Sequence, residues 1–278
     1  MKRILLMIND AQAPYSDFAV MFESIVQASG QFSVDVSSDR SRLCDLSGFD
    51  AVALYILGGE LTSEQERGIT DFARNGGGIL GVHGANAKLV QYRTYTEMIG
   101  TEFIGHDPLA AFDVRTAPDV DDILPRLDPE FRVMDECYNM KIHTDAPLRW
   151  FQTGMWRFEE KPLGYVRDYG KGKVFYTALG HDHRTFGHPS FQDLLIKGLR
   201  YICGMKDKPI VRFGIVGYGP LFNMGKHHSE QIASTYGFEL TAVCDRDPAR
   251  LEAARVEQGD HLATYTDTED LINSGLID

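Results

Sequence analysis

The sequence predicts an α/β protein of two successive units: a doubly wound parallel sheet, then the opening of a partial Rossmann fold. Three observations predict it. Apolar runs of strand length alternate with amphipathic stretches of helix length from residue 1 to about 205. The glycine run Gly76-Gly77-Gly78 feeds the apolar stretch Ile79-Leu80-Gly81-Val82, which ends in His83 flanked by small residues. That is how a parallel strand presents a polar side chain at its carboxyl edge. After the polar, proline-bearing joint Lys206-Asp207-Lys208-Pro209, a new strand runs into a glycine loop. The expected boundaries are a first unit over 1–205, a linker over 206–209 and a second unit over 210–278.

The elements follow in order. Arg3 to Ile8 is a first strand, too short in its apolar run for a signal-peptide core. Tyr15 to Ser29 carries Phe18, Phe22, Ile25 and Val26 on one helical face, and Gly30 closes it. Phe32 to Val36 is a short strand, and Phe49 to Leu57 reads as a strand covered on both faces. Ser63 and Glu66 form an expected capping box for a helix ending near Asn75-Gly76, before the strand that leads to His83. Alternation at this spacing predicts a flavodoxin-like strand order. Beyond His83, Tyr95 to Ile99 is a short helix, Ile104 to Pro108 a loop, and Ala111 to Thr116 and Phe131 to Met134 short strands; Trp150 to Glu160 is irregular. Leu163 to Val166 and Val174 to Ala178 form a hairpin through a glycine-bearing turn, and Ser190 to Cys203 is the closing helix.

Composition narrows the function. A chain of 278 residues with 43% hydrophobic residues can bury a substantial core. The net charge of -12, without a basic stripe, disfavours nucleic acid and anionic membrane surfaces as partners. No run reaches membrane-spanning length. Cys44, Cys137, Cys203 and Cys244 are scattered without a CxxC pair, which points to a reduced, cytoplasmic protein. A homo-oligomer is compatible with all of this.

His83, His106, Asp107, Glu136, His143, His181, Asp182 and His183 all fall at expected strand ends or adjoining loops, where an open α/β sheet builds its site. His83 sits where a G-x-S-x-G elbow would place its nucleophile, but an imidazole there binds a metal, shuttles a proton or donates a hydrogen bond instead. His83, His106, His181 and His183 are candidate ligands for a divalent metal with an open position. His83, Glu136 and His181 are the candidate catalytic groups, with Glu136 a general base or an acceptor of sugar hydroxyls. The alternative for each is a satisfied or solvated residue at a turn. Tyr138, Trp150 and Trp156 could floor a sugar site or simply pack in the core.

The order of these pieces resembles the ThuA-like (trehalose utilisation) family: the triple glycine with the His83 elbow, His106-Asp107-Pro108, Asp135-Glu136-Cys137-Tyr138, Tyr169 to Tyr176, and Leu179-Gly180-His181-Asp182. The resemblance covers residues 1 to about 205. It implies a fold like that of class I glutamine amidotransferase domains without the nucleophilic cysteine, and a role in sugar utilisation whose chemistry the family leaves undefined.

In the second unit, Ile210 to Val216 leads into Gly217-Tyr218-Gly219, and Gly225 opens a helix. This follows the dinucleotide fingerprint in plan, with Gly225 arriving later than the fingerprint's third glycine. Phe238 to Cys244 is a second strand ending in Asp245, placed to accept from ribose hydroxyls, with Arg246 beside it. Asp247-Pro248 and Asp267 open two further helices. The run resembles the N-terminal part of the Gfo/Idh/MocA oxidoreductases over about residues 210–278, which implies NAD or NADP, Asp245 favouring NAD and Arg246 permitting NADP. That family would begin its third strand near Leu276-Ile277-Asp278, so its later strands, catalytic lysine and substrate domain are expected in a longer protein. Glu160-Lys161-Pro162 spells that family's catalytic tripeptide, but it lies upstream in the first unit and is read as coincidence. Three functions stay open: a fusion of a ThuA-like unit with an NAD(P)-dependent sugar or polyol oxidoreductase, a metal-dependent sugar hydrolase or isomerase in the first unit, and a sugar-binding module without chemistry.

Overall fold

The continuous apolar runs become interior strands because neither face of a doubly covered sheet meets water. A computed structural model describes all residues except 11, 13, 207–209, 221–222 and 236. The chain divides into two compact units, Met1–Met205 and Lys206–Asp278. Most of the expected linker, at 207–209, lies outside the described residues.

In the first unit, β1 (Lys2–Ile8), α1 (Tyr15–Ala28), β2 (Phe32–Ser37), β3 (Ala51–Tyr55), α2 (Ser63–Arg74) and β4 (Gly78–Val82) alternate, and β3 and β4 are buried along their whole length. Then come α3 (Arg93–Ile99), β5 (Thr101–His106), β6 (Ala110–Thr116), β7 (Glu130–Asp135), β8 (Tyr138–Ile142), β9 (Arg149–Trp156), β10 (Glu159–Tyr169), β11 (Gly172–Thr177), α4 (His183–Phe186) and α5 (Pro189–Ile202). Among the described residues nine strands form one sheet in the order β2-β1-β3-β4-β11-β10-β9-β6-β7. β2 through β11 run parallel in the flavodoxin-like order; β11 through β7 pair antiparallel. The fold is thus mixed α/β: the expected doubly wound parallel sheet runs through β11, the hairpin expected at β10–β11 is present, and beyond it the sheet continues antiparallel, which was not expected. Hairpins such as the β10–β11 turn at Gly170 leave no length for crossover helices there.

This curled half brings the site together. A flat sheet would hold β11 and β7 four strand spacings apart, about 19 Å. Yet the Asp135 carboxylate at the end of β7 lies 2.8 Å from the Gly180 amide just past β11. Register shifts around Gly164 in β10 supply local twist of the kind that bends a strand pair.

Three local expectations are corrected. The α2 cap is Thr62, not Ser63: its hydroxyl accepts from the Gln65 amide and its own amide donates to Gln65 Oε1. Glu66 is thereby free to accept from the Thr94 amide at 2.8 Å, capping the start of α3. Ile104 to His106, expected as loop, is the end of β5, paired with β8, because His106 and Tyr138 close a two-stranded ribbon. Trp150 to Glu160, expected as irregular, is the β9–β10 hairpin, which turns through Arg157 and Phe158 at positive φ. Its turn lacks the glycine or asparagine that would have marked it.

The second unit contains β12 (Val211–Val216), α6 (Met224–Ser234), β13 (Phe238–Cys244), α7 (Pro248–Gln258), β14 (Ala263–Tyr265) and α8 (Thr268–Asn273). β12, β13 and β14 form a parallel sheet in that order. The third strand is therefore Ala263–Tyr265, not the segment at Leu276-Ile277-Asp278. Three residues were too few to register as an apolar run. Asp247 and Asp267 cap α7 and α8 as expected.

Candidate active site in the first unit

β4 and β11 are adjacent and parallel, with Val82 opposite Thr177, so the chain leaves the sheet twice at one place. His83 follows β4 and the segment Ala178 to His181 follows β11. His83 adopts φ 51, a left-handed backbone uncommon outside glycine, at the start of a 3-10 turn over His83–Asn86. Gly84 allows the tight approach that follows: a side chain there would place Cβ 2.8 Å from the Ile56 carbonyl oxygen. The elbow expected from the glycine spacing exists, with an imidazole at its tip.

The ring of His83 is fixed on both sides. Nδ1 lies 2.8 Å from the Ala178 carbonyl oxygen, which requires a proton on Nδ1, and Nε2 accepts from the Tyr138 hydroxyl at 2.9 Å. Burial, reinforced by His181, holds the His83 pKa below the usual value of 6.5, although Asp135, the Ala178 carbonyl and Glu136 pull the other way. Neutral His83 with a bare Nε2 is the result. Burial, with Glu136 and Asp135 behind it, pushes the Tyr138 pKa up, so its hydroxyl stays protonated and donates.

His83 Nε2, His181 Nδ1 and Glu136 Oε2 converge. His181 Nδ1 lies 3.4 Å from His83 Nε2 and 3.4 Å from Glu136 Oε2, and His83 Nε2 lies 3.6 Å from the same oxygen. Among the described residues these three form a group able to hold a metal ion. The spacing is a quantitative test of fit. Ligand atoms at about 2.1 Å from a tetrahedral centre stand about 3.4 Å apart, whereas an octahedral centre would bring neighbours to about 3.0 Å. Two imidazoles and one carboxylate at these separations match the donor set of a three-ligand zinc-type site with one open position.

Asp135 positions the group. Its fully buried carboxylate accepts from the Gly180 amide (2.8 Å), the Glu136 amide (2.7 Å), the Thr185 hydroxyl (2.7 Å) and, at longer range, the His181 amide (3.3 Å). It ties the end of β7 to the loop after β11, fixing Glu136 and His181 together. Its signal in the sequence was only an acidic pair at a strand end.

The other expected residues divide. His106 Nδ1 lies 3.4 Å from Glu136 Oε1 and 2.8 Å from the Asp107 carbonyl oxygen, so it stands beside the group rather than within it. His183 opens α4 and stands outside the cluster. Asp182 caps α4 and pairs with Arg184; Asp107 pairs with Lys161, and His143 pairs with Glu102. Of the three aromatic candidates only Tyr138 reaches the site: Trp150 packs edge-on against Tyr165, and Arg157 lies over Trp156. The cavity measures about 330 Å³; His83, Glu136, His181 and His106 supply polar groups, while Tyr15, Phe18, Tyr55 and Phe103 give it an apolar wall. That combination is typical of a small-molecule site.

In the second unit Gly217 takes φ 92 directly after β12, and a Cβ on Gly225 would meet the Gly217 carbonyl oxygen at 2.5 Å. Asp245 accepts from the amides of Tyr218 (2.7 Å) and Asp247 (3.0 Å). Burial raises its pKa, but these amides and Arg250 outweigh burial and leave it lowered. A side chain on Gly219 would collide with the Arg250 guanidinium, and Arg246 is exposed. Leu221 and Phe222, inside the expected loop insertion, lie outside the described residues.

Comparison with known proteins gives a consistent result. The ThuA family, described as trehalose utilisation, matches residues 4–202. A ThuA-like protein from Parabacteroides merdae ATCC 43184 superposes with a TM-score of 0.66 at 20% identity, over 75% of this chain and 93% of that one. A second, from Bacteroides uniformis ATCC 8492, gives 0.61 at 15% identity, over 72% and 91%. A β-galactosidase from Rahnella sp. R3 gives 0.53 at 19% identity, over 72% of this chain and 32% of the enzyme. At these identities the likeness shows the fold alone. No curated protein matches the chain.

Proposed function

The chain belongs to the ThuA family, and from that premise we propose that its first unit is a divalent-metal-dependent enzyme, a hydrolase or isomerase, acting on a sugar or polyol. The observation that carries this reading is the mutual spacing of His83 Nε2, His181 Nδ1 and Glu136 Oε2, which fits a tetrahedral ion with one place left over. The ion would supply Lewis acidity toward a hydroxyl, a carbonyl or water. The chain's own residues do the rest. The Ala178 carbonyl fixes the His83 tautomer, and Asp135 holds Glu136 and His181 in place. Tyr138, released from His83 Nε2 when that lone pair is used elsewhere, would offer its hydroxyl to the substrate. His106, 41% exposed and in reach of Glu136 Oε1, is the group that would carry a proton between cavity and solvent. A cytoplasmic location is the reading that the four free thiols support.

Metal analysis tests the proposal. The purified chain is expected to retain zinc or another divalent ion, and His83→Ala, His181→Ala and Glu136→Gln each to weaken retention tenfold or more. If the wild type takes up no metal, or these changes leave uptake alone, the reading fails. Sugar binding that survives both chelator and these substitutions would instead support a binding module without chemistry.

A second reading concerns the other unit and rests on its own observations. The left-handed Gly217, the close seat of Gly225 on the Gly217 carbonyl and the Asp245 bond to the Tyr218 amide support a dinucleotide-binding half-sheet. With Gly219 and Arg246 alongside, NAD or NADP is the proposed ligand, and sugar or polyol oxidoreduction the proposed activity. Titration of the chain with NADH and NADPH, followed by nicotinamide fluorescence, checks it. Absence of saturable binding of either would remove the reading.

A further inference from the structure

One cationic group at the cavity is not explained by anything above. Lys88 lines the same cavity as His83, Glu136 and His181, at an exposed position five residues along from the elbow histidine. Among the described residues no carboxylate pairs with it: Glu136, the one acid lining this cavity, lies against His83, His106 and His181 instead. Its backbone sits at φ 57, a left-handed conformation that non-glycine residues disfavour. Gly58, itself at φ 64, donates its amide to the Ala87 carbonyl at 3.0 Å, and a Cβ on Gly58 would stand 2.9 Å from Lys88 Cβ. Two left-handed residues are thus pressed together at the cavity, and the one that carries a side chain carries an ammonium group.

From this we propose that Lys88 makes the site selective for a polyhydroxylated small molecule bearing a fixed negative charge, a carboxylate or a phosphate. The proposal rests on the metal-site reading of the first unit and names its substrate class. The chain's net charge of -12 would on average repel such a ligand, so attraction has to be local. Lys88, an exposed lysine lining a largely apolar cavity with no carboxylate partner, provides it, through charge-assisted hydrogen bonds that neutral hydroxyls cannot match.

The test compares binding of D-gluconate and D-glucose 6-phosphate with that of D-glucose and D-sorbitol, by calorimetry on the zinc-loaded chain. Lys88→Gly removes the cation and suits the left-handed backbone, so it keeps the fold; Lys88→Arg keeps the cation. At least one anionic ligand is expected to bind tenfold or more tightly than its neutral counterpart. That preference should vanish in Lys88→Gly and persist in Lys88→Arg, while zinc content stays at the wild-type level in both. Preference for gluconate alone assigns the charge to a carboxylate, and for the phosphate ester alone to a phosphate. Equal binding of charged and neutral ligands, no binding of either anion, or a preference that survives Lys88→Gly would overturn the proposal. If the wild type holds no zinc, it is the metal-site reading beneath it that fails.

Discussion

Replacing Asp135 by Asn removes one charge without changing shape, and the consequence can be worked from its contacts. One carboxylate oxygen accepts from the Gly180 amide and the Thr185 hydroxyl, the other from the Glu136 amide, and the His181 amide lies within 3.4 Å of both. Whichever way the new amide turns, its NH2 faces a backbone N–H. Thr185 can adapt, because its hydroxyl already lies 3.1 Å from the Met134 carbonyl oxygen, but Gly180 and Glu136 cannot. An unsatisfied buried donor costs about 1–3 kcal/mol, and the remaining bonds lose their charge-assisted component, so the total is about 3–5 kcal/mol. For a unit of this size that lowers Tm by roughly 6–20 °C. The assay is thermal and urea unfolding of the full chain, with metal retention measured in parallel. Retention should fall tenfold or more, because Asp135 orients the groups that would hold the ion. Thr185→Val, which removes a single donor, should cost about 1 kcal/mol. If Asp135→Asn unfolds within about 0.5 kcal/mol of the wild type, the carboxylate is not the tie described above.

Other consequences are equally concrete. His83 is held below the usual 6.5, so as pH falls the unfolded chain takes up that proton first. Its contribution to first-unit stability is intact above 6.5 and declines below it. Urea midpoints at pH 7.5 and 5.5 should differ more in the wild type than in His83→Gln, and equal differences would count against a buried neutral imidazole. Asp50 and Asp182, whose pKa values are lowered, lose their contributions only below 3.8 and leave that window clear. Thr62→Ala should cost about 1 kcal/mol by removing the α2 cap, whereas Ser63→Ala should be near neutral, as circular dichroism melts would show. Gly225→Ala drives a methyl group into the Gly217 carbonyl. It should destabilise the second unit by about 1–3 kcal/mol and weaken NADH or NADPH binding, which nicotinamide fluorescence would report.

Much of the fold was legible because it is written in local patterns. Apolar runs at β1, β3 and β4, the helical stripe of α5 and the glycines around His83 each declare themselves within a dozen residues. Local chemistry could also mislead by one step: Ser63 with Glu66 and Thr62 with Gln65 are equally good boxes on paper. Only the packing of α3, which claims Glu66, selects between them. The antiparallel half of the sheet was poorly legible because its β9–β10 turn uses Arg157 and Phe158 where glycine or asparagine would be expected.

What the sequence by itself determined was the inventory: an imidazole at the tip of an elbow, an acid pair after a strand, a histidine loop before the closing helix. What only the tertiary structure decided was which of these meet. His83, Glu136 and His181 are remote in the chain, and no spacing rule distinguishes His181, inside the cluster, from His183, outside it. The selection was made by strand order and curl, since β4 lies beside β11 and β7 bends round to deliver Asp135 and Glu136. Side-chain identity is a local property of the chain, whereas convergence of donor atoms to within a few ångströms depends on the path of the whole sheet.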